Sequence, residues 1–339
     1  MSCTSRRCVL GGMALMAATV TGAFAALPRA ETVRRLAAAV AREYQDPALG
    51  QRISALLLQK LGSGGYVSAH DGIEFASLLS EDMRSIANDK HLAVIYGVDM
   101  GAADPSTDAS FVRAQNFGLQ SVRRLPGNIG LIELNLFPDI SFGAALFGRY
   151  AAAMTIVAET HALVVDMRKH IGGDPATVAY FVSYFFERPP FLVNEIRYRH
   201  KPAKRYLTGT PQGQRYGEHR PLLVVTSADT FSGGEEFAYD LQVLKRARIV
   251  GESTGGGANP NEPFDVGGGF VAMIPNGRAV NPVTNTNWEG VGVKPDTPVP
   301  AARALDAAHR LALEAALGQA QTQTDRDAIR RTLDALPTP

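Results

Sequence analysis

The sequence predicts an α/β fold, with a mostly parallel sheet covered by helices and a small helical bundle before it. Short apolar strands alternate with helical stretches along much of the chain, as in parallel βαβ units. Residues 30–88 instead show helical periodicity without strands. The 339 residues are 45% hydrophobic and 20% charged, an ordinary globular composition that excludes disordered, collagen-like and polytopic membrane proteins. The length corresponds to about two domains.

The individual elements follow from local patterns, taken in chain order. Helices are predicted over residues 31–60 (broken at Asp46-Pro47), 72–88, 141–159, 174–187, 232–246, 300–318 and 323–335. Strands are predicted over residues 91–98, 128–135, 162–166, 222–226 and 248–252, and a hairpin over 263–275. Residues 101–110 have the composition of a loop. The basic run Arg197, Arg199, His200, Lys201, Lys204, Arg205 alternates with tyrosines and predicts a solvated hairpin, which could also hold a substrate carboxylate.

Residues 1–25 have the composition of an export signal. Two arginines at positions 6 and 7 precede an uncharged stretch, which ends in the small-residue cleavage pattern Ala23-Phe24-Ala25. The head of the segment resembles the twin-arginine signal. We therefore expect export by the twin-arginine machinery, cleavage near Ala25, a periplasmic or secreted bacterial location and no stable membrane span afterwards. An uncleaved N-terminal anchor is the alternative.

Cleavage would remove Cys3 and Cys8, which are the two cysteines of the chain. The remainder could form no disulfide, and it could use neither a cysteine nucleophile nor a thiolate metal site. Its formal net charge would change from +1 to −1, which gives no electrostatic reason to bind nucleic acid. The seven histidines lack metal-site spacing, and the glycines at 255–257 lack a phosphate-binding pattern, so no metal and no cofactor are expected.

Residues 222–242 carry the strongest indication of chemistry. A buried strand is followed by a short loop and by a helix that begins at Ser232, so this serine would stand at a helix N-terminus that favours negative charge. Gly233 and Gly234 would let a substrate approach the backbone closely. The arrangement has the logic of a nucleophile elbow without its glycine pattern. Ser232 and Glu235 also form a capping box, which local sequence alone favours.

Two further segments bear on this choice. Residues 164–174 form a buried strand followed by the turn Gly172-Gly173, which can direct a backbone N–H toward an oxyanion. Residues 88–94 place His91 at the start of a strand, where its ring could face a cleft. A single histidine in such a position is more often structural, so alone it carries little weight.

Six segments together resemble the tail-specific or C-terminal-processing serine peptidases, with the tricorn protease core and the interphotoreceptor retinoid-binding protein modules. They are DKHLAV (89–94), IGLIELNLF (129–137), VVDMRKHIGGD (164–174), TFSGGEEFAYDLQ (230–242), IVGESTGGGANP (249–260) and WEGVGVKPD (288–296). The resemblance covers most of residues 30–300. The helical N-terminal stretch and the DKHL segment resemble the retinoid-binding-protein branch most.

The resemblance implies a crotonase- or ClpP-like core of stacked ββα units. It implies that Ser232 is the nucleophile and that Gly233 and the turn Gly172-Gly173 form the oxyanion hole. Glu235 matches a further acidic position of the family and is assigned to orientation or capping of the helix.

The branches of this peptidase family differ in the residue that acts as the general base for the serine. In the processing peptidases it is a lysine about 25 residues after the serine, and the matching position here is Gly257. The tricorn-like branch uses a histidine and a glutamate, which His91 and Glu289 match. One departure is Lys90, where that branch has serine; if its side chain points inward, this cation would lower the pKa of His91.

The implied organisation has four parts: a twin-arginine-type signal peptide over 1–25, an N-terminal helical bundle over 26–90, a tail-specific-protease-like catalytic domain over 91–320, and a C-terminal helix and tail over 321–339. Between His91 and Gly130 there are 38 residues, too few for an inserted PDZ domain, so none is expected.

The expected function is an exported serine peptidase that cleaves peptides or unfolded proteins through an acyl-enzyme. One alternative is a non-catalytic module of the same fold that binds a hydrophobic ligand such as a retinoid or lipid, suggested by the aromatic segment 180–186. Another is a hydrolase of a different acyl substrate, which the same triad could serve.

Overall fold

The computed structural model describes residues 28–98 and 104–336. The predicted signal segment over 1–25, with its cysteines and cleavage site, lies outside the described residues. Within the described ranges, no helix is both long and apolar enough to cross a bilayer.

The described helices and strands are as follows. The α-helices are α1 (Arg29–Glu43), α2 (Pro47–Gly62), α3 (Gly72–Ala87), α4 (Ala109–Ala114), α5 (Ala144–Val157), α6 (Pro175–Val182), α7 (Gly233–Val243), α8 (Ala301–Gln319) and α9 (Gln323–Ala335). The strands are β1 (Ala93–Tyr96), β2 (Leu119–Leu125), β3 (Ile129–Leu134), β4 (Ala162–Asp166), β5 (Leu192–Tyr198), β6 (Lys204–Leu207), β7 (Leu222–Thr226), β8 (Arg248–Gly251), β9 (Asn261–Gly267), β10 (Phe270–Pro275), β11 (Gly277–Val280) and β12 (Thr297–Pro298).

A six-stranded sheet in the order β12-β8-β7-β4-β3-β2 forms the centre of the molecule. Its strands run parallel from β12 to β3, and only β2 is antiparallel. The predicted α/β class with parallel βαβ units is confirmed. Strands β4 and β7 are neighbours, with Asp166 opposite Val225. The loops that follow these two strands therefore leave the sheet side by side.

Helices cover both faces of this sheet. An apolar core that includes α5, α6 and α7 fills one face, and α8 packs on β3, β4, β7 and β8 on the other. The aromatic segment 180–186 lies in the first core, where the Phe181 ring packs against that of Phe237 with centroids 5.5 Å apart. Phe181 and Phe185 are fully buried. These rings are therefore structural core and not the lining of a ligand cavity.

The predicted N-terminal bundle is present as α1, α2 and α3. The Asp46 carboxylate caps α2 by accepting from two backbone N–H groups, and Pro47 opens the helix, which explains the predicted break. The bundle shares one apolar core with a second sheet, β1-β10-β9, in which Phe75 meets Phe270 edge to face at 5.3 Å. His91 lies just before β1, between this bundle and the central core.

Several elements escaped the sequence patterns. Strand β2 lies at the edge of the central sheet and reads LQSVRRL, so its solvent-facing polar residues hide its periodicity. Residues 109 and 110, predicted as loop, begin the short helix α4, which Asp108 caps. The predicted basic hairpin is present as β5 and β6, and β11 extends it to a third sheet.

Candidate active site

Ser232 sits between β7 and α7 in a strained backbone conformation, with φ 52° and ψ −119°. A positive φ is uncommon for a residue with a side chain, and strain of this kind costs about 1–3 kcal/mol. Among the described residues, its hydroxyl makes no cap hydrogen bond to α7. The hydroxyl is half-buried and borders a cavity. The predicted strand–turn–helix geometry is present, and so is the capping box that Ser232 forms with Glu235, whose carboxylate accepts from the Ser232 N–H (2.9 Å).

The loops that follow β4 and β7 are held together by hydrogen bonds. Thr230 Oγ1 donates to the Met167 carbonyl (2.9 Å), and Ser227 Oγ donates to the Arg168 carbonyl (2.6 Å). The Phe231 N–H also donates to the carbonyl of His170 (2.9 Å). These bonds fix the Gly172-Gly173 turn against Ser232.

Two backbone donors meet beside the Ser232 hydroxyl. Within the described chain, the N–H groups of Gly173 and Gly233 have no hydrogen-bond partner. The Gly172 N–H, in contrast, donates to His170 Nδ1 (3.1 Å). A side chain at position 172 would bring its Cβ to 2.7 Å from that of Ser232. Of the predicted trio, Gly173 and Gly233 can therefore receive an oxyanion, whereas Gly172 provides close approach.

His170 holds the Gly-Gly turn from below. Its ring is fully buried against Phe137, with centroids 4.6 Å apart, and burial lowers its pKa to about 3. The ring is therefore neutral at physiological pH, and its Nδ1 accepts from the Gly172 N–H. The sequence patterns did not single out this histidine.

His91 borders the same cavity as Ser232. Its side chain is 11% exposed and stacks on the Phe231 ring at 4.7 Å. Burial, with a smaller contribution from the Arg84 cation, lowers its pKa to about 4. The Lys90 side chain instead points outward and donates to the Gly255 carbonyl (2.6 Å). The cation that acts on His91 is therefore Arg84 and not Lys90.

Two carboxylates approach His91 from behind. Its Nδ1 lies 3.9 Å from Asp89 Oδ1, and one donor atom each of Asp89, His91 and Glu289 lie within 4.8 Å of one another. Glu289 Oε2 accepts from the N–H groups of Ala258 (2.6 Å) and Asn259 (3.0 Å). Its Oε1 and the His91 Nδ1 are buried without a partner in the described residues. Among the described residues, the carboxylate within 4.0 Å of the imidazole is therefore that of Asp89.

Burial raises the pKa of Glu289 to about 7, and the neighbouring Asp89 charge adds to the effect. The Asp89 carboxylate is almost fully buried, so its pKa is also raised. It accepts hydrogen bonds from Tyr44 OH (3.1 Å) and Asn259 Nδ2 (3.2 Å). Asp89 belongs to the DKH segment, but its role beside the ring depends on folding and was not predicted. These three side chains could also offer ligand atoms to a cation.

The absence of a lysine at position 257 has a steric explanation. A Cβ at this position would collide with the Phe231 ring and lie 2.7 Å from His91 Cε1. Real Cβ atoms do not tolerate such contacts. The imidazole therefore occupies the space that a side chain at position 257 would enter.

Glu235 does more than cap α7. Its buried carboxylate accepts from Ser232 N–H (2.9 Å), Thr254 Oγ1 (2.5 Å), Gly256 N–H (2.6 Å) and Gly257 N–H (2.8 Å). Burial raises its pKa, and these four hydrogen bonds oppose the rise. Glu235 thus ties the loop beneath His91 to the backbone of Ser232.

The cavity at Ser232 has a volume of about 630 Å³. Most of the predicted basic run points elsewhere. Arg199 donates to carbonyls of the bundle, and Lys201 pairs with Glu262 (2.5 Å). Lys204 lines the cavity, together with Tyr198 and Tyr206. The hairpin is therefore a cavity wall as well as a solvated surface.

The comparisons with known proteins agree with this architecture. The model of peptidase family S41 matches residues 128–299, just over half of the chain. The matched segment contains Ser232, Gly173 and Glu289, whereas His91 lies before it.

Three solved structures resemble most of the chain in fold. One is a lipoprotein from Streptococcus agalactiae, at 15% identity and a TM-score of 0.58, covering 85% of this chain and 96% of that one. Another is a candidate peptidase from Parabacteroides merdae, at 15% identity and a TM-score of 0.56, covering 84% of this chain and 96% of that one. The third is the tricorn protease, at 12% identity and 0.53, covering 91% of this chain and 37% of that one. At these identities the likeness establishes the fold, and the family match establishes that this chain belongs to peptidase family S41, a family of serine peptidases.

Proposed function

We propose that the protein hydrolyses peptide bonds with Ser232 as nucleophile, His91 as base and Glu289 as orienting carboxylate. One observation carries this: a strained serine stands beside two unpaired backbone N–H groups, at the rim of a cavity that a buried histidine also borders. Strain is tolerated where function requires a fixed geometry.

We also propose that the chain is divided into an N-terminal helical bundle over residues 26–90, a catalytic domain over 91–320, and a C-terminal helix and tail over 321–339.

The residues supply each proton and charge that acyl transfer needs. His91 Nε2 takes the proton from Ser232 Oγ as Oγ attacks the carbonyl carbon. The oxyanion receives hydrogen bonds from the Gly173 and Gly233 N–H groups, and removal of one such donor costs about 3–4 kcal/mol in subtilisin. His91 then protonates the leaving amine, and water hydrolyses the acyl-enzyme by the reverse proton transfers.

Glu289 and Asp89 assist the base from its other side. When His91 becomes an imidazolium, a proton on Nδ1 can bond to Glu289 Oε1, which is otherwise unpaired in the described structure. A second charge from Asp89 stabilises the same cation at 3.9 Å. A neutral His91, favoured by its lowered pKa, is the state that a general base requires.

The cavity supports an enzyme rather than a carrier of apolar ligands. Its lining includes buried polar side chains such as Asn194 and Glu236, and the aromatic rings of segment 180–186 pack in the core instead. We further propose that the chain is exported and acts on peptides or unfolded proteins outside the cytoplasm.

Labelling with a fluorophosphonate tests the proposal, because this reagent needs an activated serine and an oxyanion hole. We expect the intact protein to be labelled at Ser232, located by mass spectrometry of the digested protein, and to be labelled equally after EDTA treatment. The exposed Ser253 provides the matched control: Ser253→Ala should be labelled like the parent. Labelling of another serine, or none in folded protein, would contradict the assignment.

The pH dependence of kcat/KM should show the ionisation of the Glu289 carboxyl group. With its pKa raised to about 7, the ionised carboxylate forms as pH rises through that value, so activity should rise there. Glu289→Gln should lower the maximal kcat/KM about 10- to 100-fold and remove the rise near pH 7. The rise that remains should lie near pH 4, where His91 loses its proton. The measurement is a kcat/KM profile from pH 4 to 9. A limb near pH 7 that persists in Glu289→Gln but vanishes in Asp89→Asn would assign the role to Asp89.

A further inference from the structure

A buried polar pit lies at the floor of the Ser232 cavity and has no part in the mechanism above. Asn194 on β5 is 1% exposed, and neither of its amide atoms has a hydrogen bond of normal geometry in the described residues, although the amide lies close enough to the Glu236 carboxyl to lower its pKa. Glu236 on α7 is 4% exposed, and its Oε1 is likewise unpaired. Both residues border the cavity. A buried polar group without a well-formed hydrogen bond costs about 1–3 kcal/mol, so these poorly paired groups could gain from a polar ligand in the cavity.

The pit lies where the substrate side chain would enter. Glu236 lies in the first turn of α7, and its backbone N–H donates to the carbonyl of Ser232, the N-cap of this helix (3.0 Å). One turn rises about 5.4 Å, which the four methylene groups of a lysine can span. An acyl group on Ser232 Oγ, with its oxygen at the Gly173 and Gly233 N–H groups, would place its side chain near this floor.

Two carboxyl groups at the pit could pair with a cation, which would favour their ionised forms. Asp240, one turn below Glu236, is fully buried, and only one of its oxygens is paired, with Asn281 Nδ2 (2.9 Å). Burial raises the pKa of Glu236 to about 8, and the Asp174 charge adds to this, whereas the adjoining Asn194 amide opposes it. A bound cation would offset both desolvation and repulsion.

The available atoms also match a basic side chain. Glu236 Oε1 and Asn194 Oδ1 are acceptors, and an ammonium or guanidinium group carries donors only. The Tyr206 ring, 5% exposed, forms one wall of the cavity and can pack against an aliphatic chain. Lys204 Nζ lies over this ring at 5.0 Å, near the rim.

We propose that Glu236 and Asn194 form a specificity pocket for a lysine or arginine side chain immediately before the scissile bond. This inference rests on the proposed function, because it places the substrate relative to Ser232. It adds a substrate class, peptides cleaved after basic residues, to the proposed peptidase activity.

Binding to a non-hydrolysing variant tests the pocket without catalysis. Ser232→Ala protein would be titrated by calorimetry with two peptides that differ only in lysine or norleucine at the tested position. We expect the lysine peptide to bind about 10- to 100-fold more tightly, the range for a hydrogen bond to a charged group. Equal binding, absent binding of both peptides, or tighter binding of a glutamine peptide would overturn the proposal.

Two further variants in the same background assign the preference. Adding Glu236→Gln should reduce the lysine-to-norleucine ratio to below about threefold. Glu195→Gln is the matched control, because Glu195 is the neighbour of Asn194 on β5 and pairs with Arg197 (2.6 Å) on the hairpin. This control should keep the ratio. A ratio that Glu236→Gln leaves unchanged would exclude Glu236 from the pocket.

Hydrolysis by the unmodified protein separates the two proposals. A lysine preference in binding, with no cleavage of any peptide and no labelling of Ser232, would leave the pocket standing and reject the peptidase. Cleavage with equal kcat/KM for lysine, arginine and norleucine peptides would keep the peptidase and reject the pocket.

Discussion

Replacing Ser232 with alanine is expected to lower kcat/KM for a cleavable peptide by about 10⁴–10⁶-fold, because the attacking oxygen is lost while the oxyanion donors remain. The variant should fold normally, since alanine meets the same backbone strain as serine. Steady-state kinetics with a fluorogenic peptide provides the measurement, and Ser253→Ala should match the parent.

Ser232→Gly gives an independent check on the strain. Glycine adopts a positive φ without the usual penalty, so this inactive variant should melt at a higher temperature than Ser232→Ala. Activity above a tenth of the parent's in either variant would remove Ser232 from the reaction. Equal melting temperatures would mean that the serine conformation carries no measurable strain.

Replacing His91 with alanine is expected to cause a loss of about 10⁴-fold or more, because the serine would lack its base. A histidine that only packs against Phe231 would affect stability and leave the chemistry of the folded fraction intact. A double variant separates the two roles. If His91 acts only through Ser232, the variant that combines His91→Ala with Ser232→Ala should be no less active than Ser232→Ala alone.

Chemical rescue by free imidazole distinguishes a histidine that acts as a base from one that only packs in the core. Removal of the buried imidazole leaves a space beside Phe231, and free imidazole added to His91→Ala should restore part of the activity. His161 lies at the other end of β4 from the Gly-Gly turn, so His161→Ala should match the parent and show no rescue. Full activity in His91→Ala would transfer the role of base to another group.

The sequence predicted the parts of the site that short segments encode. The turn at Gly172-Gly173 and the helix at Ser232 each follow a buried strand, so the pattern itself located them at one edge of the sheet. The local pattern did not decide whether the Ser232 hydroxyl caps its helix. The structure contains both features, because Ser232 and Glu235 form the capping box and Ser232 also borders the cavity.

Other parts of the site arise only from packing between distant segments. Asn194 comes from a hairpin whose alternating polar residues resemble any solvated β-ribbon, yet folding turns this residue into the cavity. The position of Asp89 behind His91 depends on contacts with Tyr44 of the bundle and with Asn259. No local periodicity records such contacts, which is why neither residue was predicted.

The crowding around Gly257 has a consequence for how the two catalytic designs of these peptidases can interconvert. A lysine introduced at position 257 of this backbone would meet Phe231 and the imidazole of His91 before its chain could extend. The histidine and lysine bases are therefore mutually exclusive here, and a single substitution cannot exchange one for the other. Redesign toward a lysine base would require a smaller residue at 231 and removal of His91 in the same step. Removal of His91 without the lysine, or a lysine at 257 while Phe231 and His91 remain, is expected to give a protein with no working base.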